Sequence, residues 1–258
     1  MMTAATRPAD RSTRAHERPP APWLALSEGP RAFAELGWFA VAAGPLLARA
    51  PRGDGHRVLV LPGFLADDRS TRPLRWFLRR LGYRVSGWRV GRNLGPTDRI
   101  IDGVLERFER LSAKGAPMSL VGWSLGGIYA RELARLFPDA VRQVITLGSP
   151  IGLTDPRASN AAGAYGLFSP FFSDRVRPGF ADRAAPLPVP STAIYTRADG
   201  IVAWRSSRQP RGARAESIEV PGSHCGLGHN PSVLRISADR LAQPDGEWAP
   251  HATPAGSM

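Results

Sequence analysis

Apolar residues recur along this chain in two rhythms. Short runs at 57–61, 83–88, 118–121, 141–147, 192–196 and 217–220 read as strands, most of them buried on both faces. Between them the spacing lengthens to three and four. Residues 72–81 place Leu74, Phe77, Leu78 and Leu81 on one helical face. Residues 100–112 do the same with Ile101, Val104, Leu105, Phe108 and Leu111. A third helix is predicted over 128–137, stopped by Pro138, and a closing one over 232–241. Helical patterns also fill 22–50. Strands alternating with helices predict an α/β class domain with a central, mostly parallel sheet and helices on both faces. In such a sheet the ligand site lies at the carboxyl ends of the strands.

The ends and one internal stretch break the rhythm. Residues 1–22 are polar and Pro-rich and are expected to form a disordered tail; 243–258 are expected to form a flexible one. A single domain is expected over 23–242. Within it, 151–190 carry no convincing strand but hold Tyr165, Phe168, Phe171, Phe172 and Phe180. An irregular segment of this length suggests a functional loop, here a cap or lid over the site. Its aromatics would line an apolar or acyl pocket, with Trp123 and Trp204 beside them. The competing reading is ordinary packing under a long loop.

Candidate chemistry begins at Leu120-Val121-Gly122-Trp123-Ser124-Leu125-Gly126-Gly127. A Gly-x-Ser-x-Gly string between a strand and a helix presents the serine on a sharp turn, where its hydroxyl can meet a base. Small neighbours let strand and helix approach. The Leu125 amide, at the helix start, is free to donate to an oxyanion. A second donor is expected from Phe64, since Gly63 lets the chain turn after the first strand. An activated serine needs a base and an orienting acid. His16 and His251 sit in the tails, and His56 precedes the first strand at the wrong sheet edge. His224 follows a strand by a short turn and is favoured over His229 as base. Asp199, just beyond a strand, is favoured over Asp155 as acid.

Composition narrows the function classes. Of the 34 cationic residues only Lys114 is lysine, and the arginines are scattered. The net charge of +12 therefore reads as compositional bias, and no nucleic-acid partner is expected. The single cysteine, Cys225, allows no intrachain disulfide. No cluster with metal-ligand spacing occurs, so no metal or cofactor is implied. Residues 36–48 are apolar but interrupted by Gly37, Gly44 and Pro45. They read as a core-capping or interfacial helix, with peripheral membrane contact through Leu36 to Ala48 as an open reading. The N-terminus lacks an apolar signal region, which favours the cytoplasm. Oligomeric state is left open.

Four motifs in order carry a resemblance: Gly-Trp-Ser-Leu-Gly-Gly, Thr-Leu-Gly-Ser-Pro (146–150), Tyr-Thr-Arg-Ala-Asp-Gly-Ile-Val (195–202) and Gly-Ser-His-Cys-Gly-Leu (222–227). Over about 57–241 the chain resembles an α/β-hydrolase of the bacterial triacylglycerol esterase/lipase group. The resemblance implies a serine carboxylic-ester hydrolase acting on a small-molecule ester or lipid through Ser124, Asp199 and His224. Pro62-Gly63-Phe64 departs from the His-Gly pair that many lipases carry at the oxyanion turn. An acyltransferase or thioesterase could use the same triad, and a non-catalytic binding protein could share the fold.

Overall fold

The computed structural model describes residues 18–115, 117–153, 155–176 and 184–252. Most of the expected N-terminal tail, the last six residues of the C-terminal one, and Phe180 lie outside them.

Six strands form one sheet: β1 (Arg57–Leu61), β2 (Arg84–Gly87), β3 (Met118–Trp123), β4 (Val141–Leu147), β5 (Ser191–Tyr195) and β6 (Ala215–Glu219). Their order is β2-β1-β3-β4-β5-β6, and every neighbouring pair is parallel. The strand pattern explains the layering. Val58 and Val60 of β1 pack on one face of the sheet, Leu59 and Leu61 on the other. The first face is covered by helices α2 (Arg72–Arg80) and α6 (Pro231–Leu241), with Phe39, Leu46 and Leu47 of α1 (Pro22–Arg49) packed against them. The second is covered by α3 (Asp98–Ser112) and α4 (Leu125–Leu136). Burying both faces is what a parallel sheet requires.

Register matters for the site. Leu61 pairs with Gly122, and Gly122 with Thr146. The carboxyl ends of β1, β3 and β4 are therefore level, and the turns that leave them share one edge.

Two stretches depart from expectation. Residues 22–49 form one continuous 28-residue helix that runs through Pro30 and Pro45. Both prolines sit on its exposed side, and the helix is held by its opposite face. The segment from 151 is also more regular than its sequence suggests. It contains a short helix, α5 (Ala162–Phe168), and 3₁₀ turns at Pro156–Ala158, Ser169–Phe171 and Asp174–Val176.

Candidate functional site

Ser124 caps α4 immediately after β3 and adopts φ 52° and ψ −123°. An L-residue rarely occupies this region, and its strain has to be held in place by close neighbours. The glycines make those neighbours fit. A Cβ on Gly122 would lie 2.3 Å from the Gly127 Cα, and one on Gly126 would lie 2.3 Å from the Leu61 carbonyl oxygen. The Ser124 N–H donates to the Leu147 carbonyl at 2.8 Å, tying the turn to β4.

The candidate acid and base meet as expected. His224 Nδ1 lies 2.6 Å from Asp199 Oδ2, and both residues are buried. The other carboxylate oxygen, Oδ1, accepts from the Ile201 and Val202 amides at 2.8 and 2.7 Å. Those bonds fix the carboxylate, which leaves Oδ2 aimed at the imidazole. Burial alone would push the His224 pKa down. The Asp199 charge and hydrogen bond, with Glu28 behind them, outweigh it and hold the pKa above the ordinary histidine value. The Trp123 indole N–H donates to the His224 carbonyl at 3.0 Å, which moors the His224 loop to the residue before Ser124. Among the described residues the Ser124 hydroxyl has no hydrogen bond to the imidazole, a contact that often tightens only with substrate bound.

The alternatives are engaged elsewhere. His229 donates through Nε2 to the Ala32 carbonyl at 2.8 Å. Asp155 caps the short turn after it and pairs with Arg157. At the opposite sheet edge, His56 lies between Asp54 (2.5 Å) and the Ser119 hydroxyl (2.8 Å). That serine–histidine–carboxylate chain resembles a triad, but Ser119 is fully buried inside β3.

The turn at Phe64 is held by a residue the sequence did not flag. Asn93, fully buried, donates from its side chain to the Pro62 carbonyl at 3.0 Å. Its backbone bonds the Leu65 N–H and the Ala66 carbonyl at 2.7 and 2.8 Å. Tyr129 donates to the Asn93 side chain at 3.2 Å. Leu65 sits at φ 60° within this clamp. The turn leaves Gly63 close enough to Ser124 that a Cβ there would lie 3.1 Å from the serine Cβ.

Beside Ser124 lies an apolar cavity of about 70 Å³, lined by Phe64, Leu125, Leu153, Tyr165, Ile201 and Val202 among others. The expected pocket aromatics are distributed differently. Phe168 and Tyr165 pack edge-on against Phe64, at 5.9 and 5.3 Å between ring centres. Phe172 packs on Tyr165 at 4.7 Å between ring centres and does not line the cavity, and Phe171 is exposed. Trp123 is buried in the core against Gly228. Trp204 stacks on Tyr195 with the Arg197, Arg205 and Arg208 guanidinium groups around it. It lines a separate groove near Asp199. The cavity's own aliphatic residues follow strands and turns, where spacing gives no hint that they converge.

Two buried carboxylates were also missed. Glu28 and Glu35 of α1 both face the loops that carry Asp199 and His224. Glu28 accepts from the amides of Gly200, His224 and Cys225 at 2.7, 3.1 and 2.8 Å. Glu35 accepts from the Ser223 amide and hydroxyl and from the Asn230 side chain, at 2.7, 2.6 and 2.7 Å. Their spacing of seven, two helical turns, was the available signal. They and Arg31 are the only charged residues between Pro22 and Ala48.

No family model matches this chain, and no curated protein matches it. Solved structures do match. An α/β superfamily hydrolase from Oenococcus oeni PSU-1 aligns over 72% of this chain and 91% of its own, with TM-score 0.54 and 15% identity. A structure described with the metagenome-derived lipolytic enzymes LipS and LipT aligns over 74% and 95%, at 0.53 and 14%. The thioesterase domain from the curacin biosynthetic pathway aligns over 75% and 93%, at 0.51 and 14%. The chain has the α/β-hydrolase fold.

Proposed function

We propose that the chain is a serine hydrolase of carboxylic esters. The observation that carries this reading is Ser124 on its strained turn, with the buried Asp199–His224 pair moored one residue away through Trp123. In this mechanism His224 Nε2 takes the Ser124 proton as Oγ bonds to the ester carbonyl carbon. The oxyanion accepts from the Leu125 and Phe64 amides. The imidazolium, stabilised by Asp199, returns the proton to the departing alcohol oxygen as the C–O bond breaks. Water, deprotonated by the same imidazole, then releases the acid and frees Oγ.

The α5 segment serves as a cap on this reading, because Tyr165 closes the cavity beside Ser124 and Phe64 packs on α5. A cavity this small, walled by packed aromatics, favours short acyl groups. Rates on p-nitrophenyl esters of increasing acyl length test both points. Acetate and butyrate esters should turn over faster than long-chain ones, and Ser124→Ala should lower kcat by about 10³-fold or more. Full activity in Ser124→Ala would overturn the mechanism. Preference for long chains would overturn the account of the cavity.

A further inference from the structure

Helix α1 partly buries Phe39, Leu46 and Leu47 on its inner face yet keeps its acidic charge there too. Its carboxylates, Glu28 and Glu35, point into the protein, while its outer face is apolar. Leu26, Phe33 and Val41 are 83%, 79% and 79% exposed, and Trp23, Leu36 and Trp38 are exposed beside them. From Ala32 to Ala48 the only charged residue is Glu35, which is buried. Cβ atoms built on Gly29, Gly37 and Gly44 would meet nothing within 4 Å. Exposed apolar surface of this extent on a helix about 42 Å long marks a contact site.

The charges around this face say what covers it. At its amino end Arg18, Arg197 and Arg205 share a groove with Ala21 and Leu24. Toward its carboxyl end Arg49 and Arg235 share another with Trp38, Pro45 and Leu46. The acid in the first groove, Asp199, is buried against His224, and Arg197 is paired with Glu219 at 2.9 Å, so Arg18 and Arg205 supply the charge at that end; the acid in the second, Asp239, is bound to Arg240 and His251. We propose that the outer face of α1 docks on an anionic lipid surface, apolar side chains in the interface and arginines on the headgroups. No helix among the described residues is long and apolar enough to cross a membrane, so α1 lies on the surface. A second copy fits less well. Two such faces in contact would set arginine against arginine at both ends.

This docking is independent of the chemistry at Ser124. Sedimentation of the full chain with vesicles tests it, using phosphatidylcholine with and without phosphatidylglycerol. Binding should be about tenfold or more stronger with phosphatidylglycerol and should weaken with salt. Phe33→Ser/Val41→Ser should lose most of it, with hydrolysis of soluble esters unchanged. Equal binding by wild type and the double variant, or no binding to either vesicle, overturns the proposal. So does a dimer in solution that the double variant disperses, which would make a second copy the occupant.

The inner face of α1 carries a separate inference, which rests on the proposed hydrolase reading. Glu28 bridges the loop after Asp199 and the loop of His224 from outside the pair itself, through Gly200 on one side and His224 and Cys225 on the other. Arg31 adds a bond to the Ala198 carbonyl at 2.7 Å. We infer that Glu28 is a positioning residue that fixes the acid and base loops relative to each other. It also places a negative charge, paired with Arg31 at 2.9 Å, behind the imidazole. The base works only when neutral, so activity falls as pH drops through its pKa. Glu28→Gln removes that charge and should move this acid limb to lower pH. It should also lower kcat about tenfold or more with little change in KM. Glu28→Asp keeps the charge and should leave the limb in place while kcat falls. If Glu28→Gln does not fold, Glu28→Asp carries the test alone. Wild-type kcat and an unmoved limb in folded Glu28→Gln, or wild-type kcat in Glu28→Asp if only that variant folds, overturns the inference. An inactive wild type would instead overturn the hydrolase reading.

Discussion

At the scale of single residues, the site depends on what is missing from glycine. Gly126 stands where a methyl group would meet the Leu61 carbonyl oxygen at 2.3 Å and the Pro62 carbonyl oxygen at 2.7 Å, backbone atoms with no flexible side chain to give way. Gly126→Ala should therefore destabilise the fold by about 1–3 kcal/mol through overpacking. Gly37→Ala, on the open face of α1, should raise stability by up to about 1 kcal/mol. Urea unfolding midpoints of the two variants should move in opposite directions; a Gly126→Ala midpoint at or above that of wild type would refute the close-packing account. Ser124, Asp199 and His224 were legible because each residue type stands just past an apolar run. Asn93 was not, because a lone asparagine in a loop reads as a turn residue. Its hold on the Phe64 turn comes from contacts made across the fold. The Asp54–His56–Ser119 chain shows why hydrogen-bond order alone is a weak guide. It has a triad's links but lies at the amino edge, with its serine sealed in a strand.

At the scale of elements, strands and the helices between them follow from periodicity, and their ends fall within a few residues of expectation. The segment from 151 to 176 did not follow. Gly and Pro at short intervals hid α5, whose Tyr165 and Phe168 pack against Phe64 from a distant part of the chain. Helix α1 was legible as a helix but not in its orientation. Apolar residues normally mark the buried side. Here two glutamates mark it along with Phe39, Leu46 and Leu47, because six backbone and side-chain donors of the loops at 200 and 223–230 need acceptors inside the protein, and Arg31 of α1 itself adds a seventh. The outer face carries exposed Leu26, Phe33 and Val41 instead of charge, which is the basis of the docking proposal.

At the scale of the whole molecule, the parallel sheet gathers chemistry from distant parts of the chain. Phe64 follows β1, Ser124 follows β3, Asp199 follows β5 and His224 follows β6, so four strand ends supply one edge. Level register across β1, β3 and β4 sets the Phe64 turn beside Ser124, and α1 spans the loops of Asp199 and His224. The central claim is that this convergence makes Ser124 a nucleophile. Intact-mass and peptide mapping after treatment with a fluorophosphonate test it most directly. A single adduct on Ser124, formed far more slowly in His224→Ala and absent in Ser124→Ala, is the result predicted. An adduct on another residue, or none on the folded wild-type protein, would contradict it.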